Sequence, residues 1–145
     1  MTVRTIENSA DIAVTPVSNI MVVDDDVTFC RVLSNAFSRR GFEVCTVHDA
    51  GNIIAIAEHY LPDAVVLDLR MPGVSGLEMI NPLRNINPNI RILVLTGYAS
   101  IATAIEAIKL GAVYYLTKPA DADEIIARLY EHPSSTVHRQ KLPIS

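Results

Sequence analysis

Residues 20–29 read IMVVDDDVTF, an apolar run that stops at three consecutive acids, Asp24, Asp25 and Asp26. A helical pattern begins immediately after them. An apolar run without alternation is what a strand buried on both faces presents. Like charges about 4 Å apart repel by roughly 4 kcal/mol at an effective dielectric near 20. Water, a metal ion or protonation must offset that repulsion, so this strand end is a candidate site as well as a boundary.

Outward from this stretch the same alternation recurs. Apolar residues follow at Phe29, Leu33 and Phe37, with Ala36 beside them, until Arg39, Arg40 and Gly41 close a helix. FEVCTV (42–47) reads as a strand, and Ile53, Ile54, Ala57 and Tyr60 mark a helix stopped by Pro62. AVVLD (64–68) repeats the opening motif, an apolar run ended by an acid. A Gly-rich turn, RMPGVSG (70–76), leads to a helix carrying Leu77 and Ile80. Pro82 lies inside that helix, removes the bond to the Glu78 carbonyl, and predicts a bend or an early end. IRILVLT (90–96) is a strand ending in a threonine. SIATAIEAIKLG (100–111) is a helix capped by Ser100 and closed by Gly111, with Ile101, Ile105 and Ile108 as its core face. AVYYLTKP (112–119) and DADEIIARLYE (121–131) supply a fifth strand and a fifth helix.

Five strand–helix alternations predict an α/β fold, a doubly wound five-stranded parallel sheet. In such sheets the ligand site lies beyond the carboxyl ends of the strands. Those ends carry Asp24, Asp25, Asp68, Thr96 and Lys118, which therefore converge on one rim.

Composition bounds the rest. A chain of 145 residues, 50% hydrophobic, forms one domain with a sizeable core. A net charge of −4 argues against a nucleic-acid surface within it. Cys30 and Cys45 lack metal-type spacing and read as reduced thiols. His48, His59, His132 and His138 show no ligand spacing and read as surface residues. Residues 1–18 read as a flexible polar leader with no secretory h-region, and residues 132–145 as a linker. No run approaches the ~18 apolar residues of a membrane span, and a cytoplasmic location is expected.

Three carboxylates, a hydroxyl and an ammonium in one crevice suit phosphoryl chemistry. The acids hold a hard divalent cation, and one carboxylate can be a nucleophile. Lysine and threonine serve the phosphoryl oxygens, and positioned charge carries most of the catalysis. Two families fit. VVDDDVT matches the Asp-x-Asp-x-Thr signature of haloacid-dehalogenase-like phosphatases at Asp24, Asp26 and Thr28, with Asp24 as nucleophile. That reading needs another strand after Lys118 ending in acids. Here Asp121, Asp123 and Glu124 open a helix instead, and Asp68 has no role.

IMVVDDD, PDAVVLDLRMPGVSGLEMI, RILVLTGY and GAVYYLTKPADADEI together resemble the four blocks of the CheY-like receiver domain of two-component response regulators. The stretch LTGYASIATAIEAIKLGAVYYLTKPADADEI is similar in particular to the redox-responding regulators of the RegA, PrrA and ActR group. The resemblance implies a receiver over residues 19–131 with strand order 2-1-3-4-5. It makes Asp68 the phosphoacceptor, phosphorylated by a sensor histidine kinase. It gives Mg²⁺, with Mn²⁺ as a substitute, to Asp25, Asp68 and the backbone carbonyl of Arg70, while Asp24 orients metal-bound water. Thr96 and Lys118 bind the phosphoryl group, the Lys118–Pro119 bond is cis, and Tyr115 is the rotamer switch. Asp26 is left as a helix N-cap. Such a domain is not an enzyme beyond Mg²⁺-dependent self-phosphorylation and autodephosphorylation.

Arg70 and Tyr98, each two residues past a site residue, are bulky and are expected to shield the acyl phosphate and lengthen its life. The expected reporting surface is the fourth helix, fifth strand and fifth helix, forming a homodimer with ion pairs from Lys109, Asp123 and Arg128. DNA would be bound only through a C-terminal helix-turn-helix domain beyond the linker. A docking module that is never phosphorylated is the remaining alternative, disfavoured because no site residue is missing.

Overall fold

The computed structural model describes residues 17–97 and 100–130. The apolar runs become the strands of one parallel sheet, and their burial follows their position in it. Strand β1 (Asn19–Val23) pairs on one side with β2 (Glu43–Val47) and on the other with β3 (Ala64–Leu67). A hairpin of two-residue strands, β4 (Arg70–Met71) and β5 (Val74–Ser75), follows β3. Strands β6 (Arg91–Thr96) and β7 (Tyr114–Thr117) complete the sheet, whose order is β2-β1-β3-β6-β7. Without the hairpin this is the expected 2-1-3-4-5. Every residue of β3 and β6 is buried, whereas the edge strands β2 and β7 mix buried, half-buried and exposed positions.

Five helices cover the two faces: α1 (Val27–Arg39), α2 (Ile53–Tyr60), α3 (Leu77–Ile86), α4 (Ile101–Leu110) and α5 (Ala122–Leu129). Alternate residues of each strand serve opposite cores, as the pleat requires. Ile20, Val22, Val66 and Leu93 pack with Cys30, Leu33 and Phe37 of α1 and Ile125 and Leu129 of α5. Met21, Val23, Val65 and Ile92 pack with α2, α3 and α4 on the other side. Asp26, Ser100 and Asp121 cap α1, α4 and α5 through their side-chain oxygens, as N-cap residues do.

One expectation is corrected in part and another outright. Pro82 does not end its helix: α3 continues four residues further, to Ile86. Ile80 and Leu83, both fully buried, fasten the turns on either side of the proline to the core. The isoleucine face of α4 is not the core face either. Ala104 and Ala107 are the buried residues of α4, while Ile101 is 48% exposed and Ile105 and Ile108 are half-buried. Small side chains let the helix axis approach the sheet closely, and the larger residues are turned aside.

The Gly-rich turn is the added hairpin. Pro72 and Gly73 occupy its centre, with Gly73 at φ +91°, the pattern of a type II turn.

Candidate functional site: an acidic pocket at the carboxyl edge

The chain crosses from β2 to β3 over β1, so the strand order reverses between β1 and β3. Asp24 follows the first of these strands and Asp68 the second. Their amides are tied to the sheet at 3.0 Å, Asp24 N–H to the Val47 carbonyl and Asp68 N–H to the Val23 carbonyl. One carboxylate oxygen each from Asp24, Asp25 and Asp68 lies within 4.8 Å of the others. Asp24 and Asp68 are buried and Asp25 is exposed, so the cluster opens to solvent on one side. All-oxygen donors of this charge suit a hard divalent cation.

Neighbouring groups hold the buried pair in place. Lys118 Nζ donates to Asp24 Oδ2 at 2.7 Å, and the Asp26 amide donates to Asp24 Oδ1 at 3.0 Å. The Thr96 hydroxyl and the Arg70 amide donate to the Asp68 carboxylate. Burial and the charge of Asp24 raise the Asp68 carboxyl above the usual range, against the lowering by Lys118, Thr96 and Arg70. Burial would lower the Lys118 ammonium, but the Asp24 hydrogen bond and the charges of Asp24, Asp68 and Asp26 overcome it, so its pKa is raised. Asp68 is thus disfavoured from keeping its charge, and Lys118 is held cationic nearby. The Lys118–Pro119 bond is cis, as expected.

The five residues at the strand ends are therefore brought together. Asp26 stays out of the cluster: its Oδ1 accepts from Phe29 N–H at 3.0 Å as the α1 cap. Tyr115 is 9% exposed with its hydroxyl against the start of α4. The Arg70 side chain is exposed. Tyr98, His132 and His138 lie outside the described residues.

Asp121 caps α5 through the Glu124 amide, and Asp123 is held by Arg40, Nε to Oδ1 at 2.7 Å. Neither joins the cluster, so the acids that the phosphatase reading needs are engaged elsewhere.

Four participants escaped the sequence reading. Lys118 Nζ sits 4.3 Å from the centroid of Phe29, a cation–π contact that helps to aim it. The Asp24 carbonyl accepts from Cys30 Sγ at 3.3 Å and lies 3.2 Å from His48 Nδ1. Burial, with the charge of Asp24 next, pushes the Cys30 thiol up to about 12, so it is inert. His48 had a signal: it is the first residue past β2, on the same rim as Asp24. Phe29 and Cys30 had none, because their contacts depend on how α1 lies across β1. Gly76 is the fourth; an added Cβ would meet the Asp68 carbonyl oxygen at 2.3 Å.

A family profile described as the response regulator receiver domain matches residues 20–130. The chain belongs to the response regulator receiver family. Receivers are phosphoryl acceptors rather than enzymes in the ordinary sense. Among curated relatives, the acid tolerance regulatory protein ActR of Rhizobium meliloti (strain 1021) is 43% identical over 130 residues, 90% of this chain and 67% of that protein. The photosynthetic apparatus regulatory protein RegA of Cereibacter sphaeroides is 40% identical over 127 residues, covering 88% and 69%. Among solved structures, a response regulator from Burkholderia pseudomallei, described with a phosphorylated aspartic acid, calcium ion and citrate, superposes with a TM-score of 0.79. It is 39% identical, over 86% of this chain and 73% of that one. The CheY-like receiver domain protein from Methanospirillum hungatei JF-1 is 22% identical with a TM-score of 0.75, and shares the fold. Among the described residues no helix is long and apolar enough to cross a membrane.

Proposed function

We propose that this receiver accepts a phosphoryl group on Asp68 from a sensor histidine kinase in the cytoplasm and switches conformation to control a DNA-binding output. The observation that carries this is the cluster of Asp24, Asp25 and Asp68 within 4.8 Å, with Lys118 2.7 Å from Asp24 and the Thr96 hydroxyl on Asp68. An Asp68 carboxylate oxygen attacks phosphorus; the P–N bond of the phosphohistidine breaks, and its electron pair and a proton remain with the imidazole. Asp25, Asp68 and the Arg70 carbonyl would hold Mg²⁺, or Mn²⁺ in its place, with Asp24 serving to orient water at the site. A cation held there would offset the carboxylate repulsion and supply positive charge to the phosphoryl oxygens. Lys118 adds a positive charge on the other side, and Thr96 turns its hydroxyl to the new phosphoryl oxygens. Small phosphodonors react by the same route, and water later releases the phosphate. Arg70 and Tyr98 shield the acyl phosphate and lengthen its life.

The output side follows from the same reading. Tyr115 reports the state of Thr96 to the face formed by α4, β7 and α5, where two copies pair. Lys109, Asp123 and Arg128 are the charged residues that pairing would bring together. Asp123 already bonds Arg40 of its own chain, and Arg128 lies over the Tyr114 ring at 4.9 Å, so Lys109 has the greater freedom to serve a partner. Residues 132–145 lead toward a helix-turn-helix domain; ActR and RegA, named as regulatory proteins, extend well beyond the matched region.

Intact mass after incubation with acetyl phosphate and Mg²⁺ tests the reading. A gain of about 80 Da on the native chain, absent from Asp68→Ala and reduced in Asp24→Ala, is expected. Turnover without an adduct, surviving Asp68→Ala and lost in Asp24→Ala, would restore the phosphatase. No reaction with any donor would leave a docking module.

A further inference from the structure

Tyr115 projects from the middle of β7, and its phenol oxygen lies 3.0 Å from the Thr103 hydroxyl. The same oxygen accepts from the Ser100 amide at 3.4 Å. Ser100 and Thr103 are the N-cap and the third residue of α4. Thr103 N–H donates to Ser100 Oγ at 3.1 Å, the two hydroxyls are 2.9 Å apart, and Thr103 Oγ1 donates to the Ser100 carbonyl at 3.1 Å.

One arrangement of protons serves all of these contacts. Thr103 has a single hydroxyl proton, which goes to the Ser100 carbonyl, so its lone pairs receive from Ser100 and from Tyr115. The phenol therefore donates to Thr103 and accepts from Ser100 N–H. In a capping box the third helical residue is Glu or Gln, and its side chain reaches back to the amide of the N-cap. Threonine is too short for that. Here a phenol from the neighbouring strand takes the amide in its stead, and α4 carries half of a capping box that β7 completes.

The cap matters to this helix, because Ala104 and Ala107 are its buried residues and small side chains contribute little packing. The geometry points to Thr103 as a positioning residue of the switch: it holds the Tyr115 phenol inward, so movement of Tyr115 opens or closes the N-terminal turn of α4. This inference rests on the receiver reading proposed above, since it supplies the step between Tyr115 and the α4 surface.

The test uses the full chain with Mg²⁺ and trifluoroberyllate, a phosphoryl mimic, in native protein, Thr103→Val, Tyr115→Phe, the double variant and Thr103→Ser. Tyrosines labelled as 3-fluorotyrosine give ¹⁹F signals, and the one missing from Tyr115→Phe is that of residue 115. Thr103→Val is expected to move that signal and to weaken trifluoroberyllate binding roughly two- to tenfold, the range of one hydrogen bond. Tyr115→Phe should weaken it similarly, the double variant by less than the product of the two single losses, because either change already removes the Tyr115–Thr103 bond, and Thr103→Ser should return to within about twofold of native. An unmoved signal with native affinity in Thr103→Val, or losses that multiply in the double variant, would overturn the inference.

Urea midpoints of the same proteins without the mimic read the clamp alone. A double variant that loses less than the sum of the two single losses supports it, and additive losses refute it. A native protein that ignores trifluoroberyllate would sink the receiver reading, while the urea cycle would still decide whether the clamp exists.

Discussion

Gly76 lies against the backbone of Asp68 so closely that a Cβ there would stand 2.3 Å from the Asp68 carbonyl oxygen and 3.0 Å from Leu69 Cα. Its own φ of −58° is open to any residue, so contact alone requires glycine. The atoms in the way are backbone, which cannot swing aside. Gly76→Ala is therefore expected to cost about 1–3 kcal/mol, the range of an overpacked core. Because relief would displace Asp68, phosphorylation by acetyl phosphate should slow as well. Urea unfolding and intact mass check the pair of effects; a native midpoint would show that the loop yields without penalty.

Asp68 predicts a pH dependence. Burial, then the charge of Asp24, raises its carboxyl in the folded state. The folded protein then keeps this proton to a higher pH than the unfolded chain does. The stability contributed by the group is fully present below the unfolded pKa and is lost as pH rises through the folded one. In metal-free buffer, Asp68→Asn should raise the urea midpoint near pH 7, with the gain shrinking toward pH ~4. An unchanged or lower midpoint near pH 7 would contradict this. If the folded acids bind Mg²⁺ as proposed, adding it should stabilise the native protein more than Asp68→Asn.

Leu61 closes α2 with φ at 52°, the only non-glycine residue of positive φ among those described, and it is 60% exposed. A side chain in the left-handed region costs about 1 kcal/mol, and asparagine tolerates that region better than leucine. Little apolar burial is lost at so open a position. Leu61→Asn should stabilise the protein by about 0.5–1 kcal/mol, read as a higher melting temperature. A lower one would mean that the exposed leucine packs more than its burial suggests.

The packing of α4 predicts an inverted pattern of tolerance. Ile101→Ser should change stability by no more than about 0.5 kcal/mol, as an exposed substitution does. Ala107→Leu forces added methylenes against the sheet and should cost about 1–3 kcal/mol. Chemical denaturation of both variants would refute the arrangement if the isoleucine proved the more sensitive site.

The parallel sheet and the polar cluster at its carboxyl rim were legible in the sequence because both follow from short-range facts. A doubly buried strand needs consecutive apolar residues, and an acid, a threonine or a lysine closing such a run stands at the carboxyl edge whatever else the chain does. IMVV, AVVL and ILVLT carried the sheet in this way, and Asp24, Asp68, Thr96 and Lys118 carried the site. The caps Asp26 and Ser100 were equally local, each being a side chain bonded to an amide three residues on.

Tertiary structure decided the rest. In SIATAIEAIKLG an isoleucine stripe and an alanine stripe are both apolar, so periodicity alone does not say which meets the sheet; the closer approach open to alanine settled it. The helix α3 continues past its proline, with Ile80 and Leu83 on either side of it anchored in the core. Asp123 bonded an arginine 83 residues away, Lys118 lay over Phe29, and Gly76 came under the Asp68 backbone. Contacts between elements far apart in the chain depend on relative placement, which only the packed whole provides.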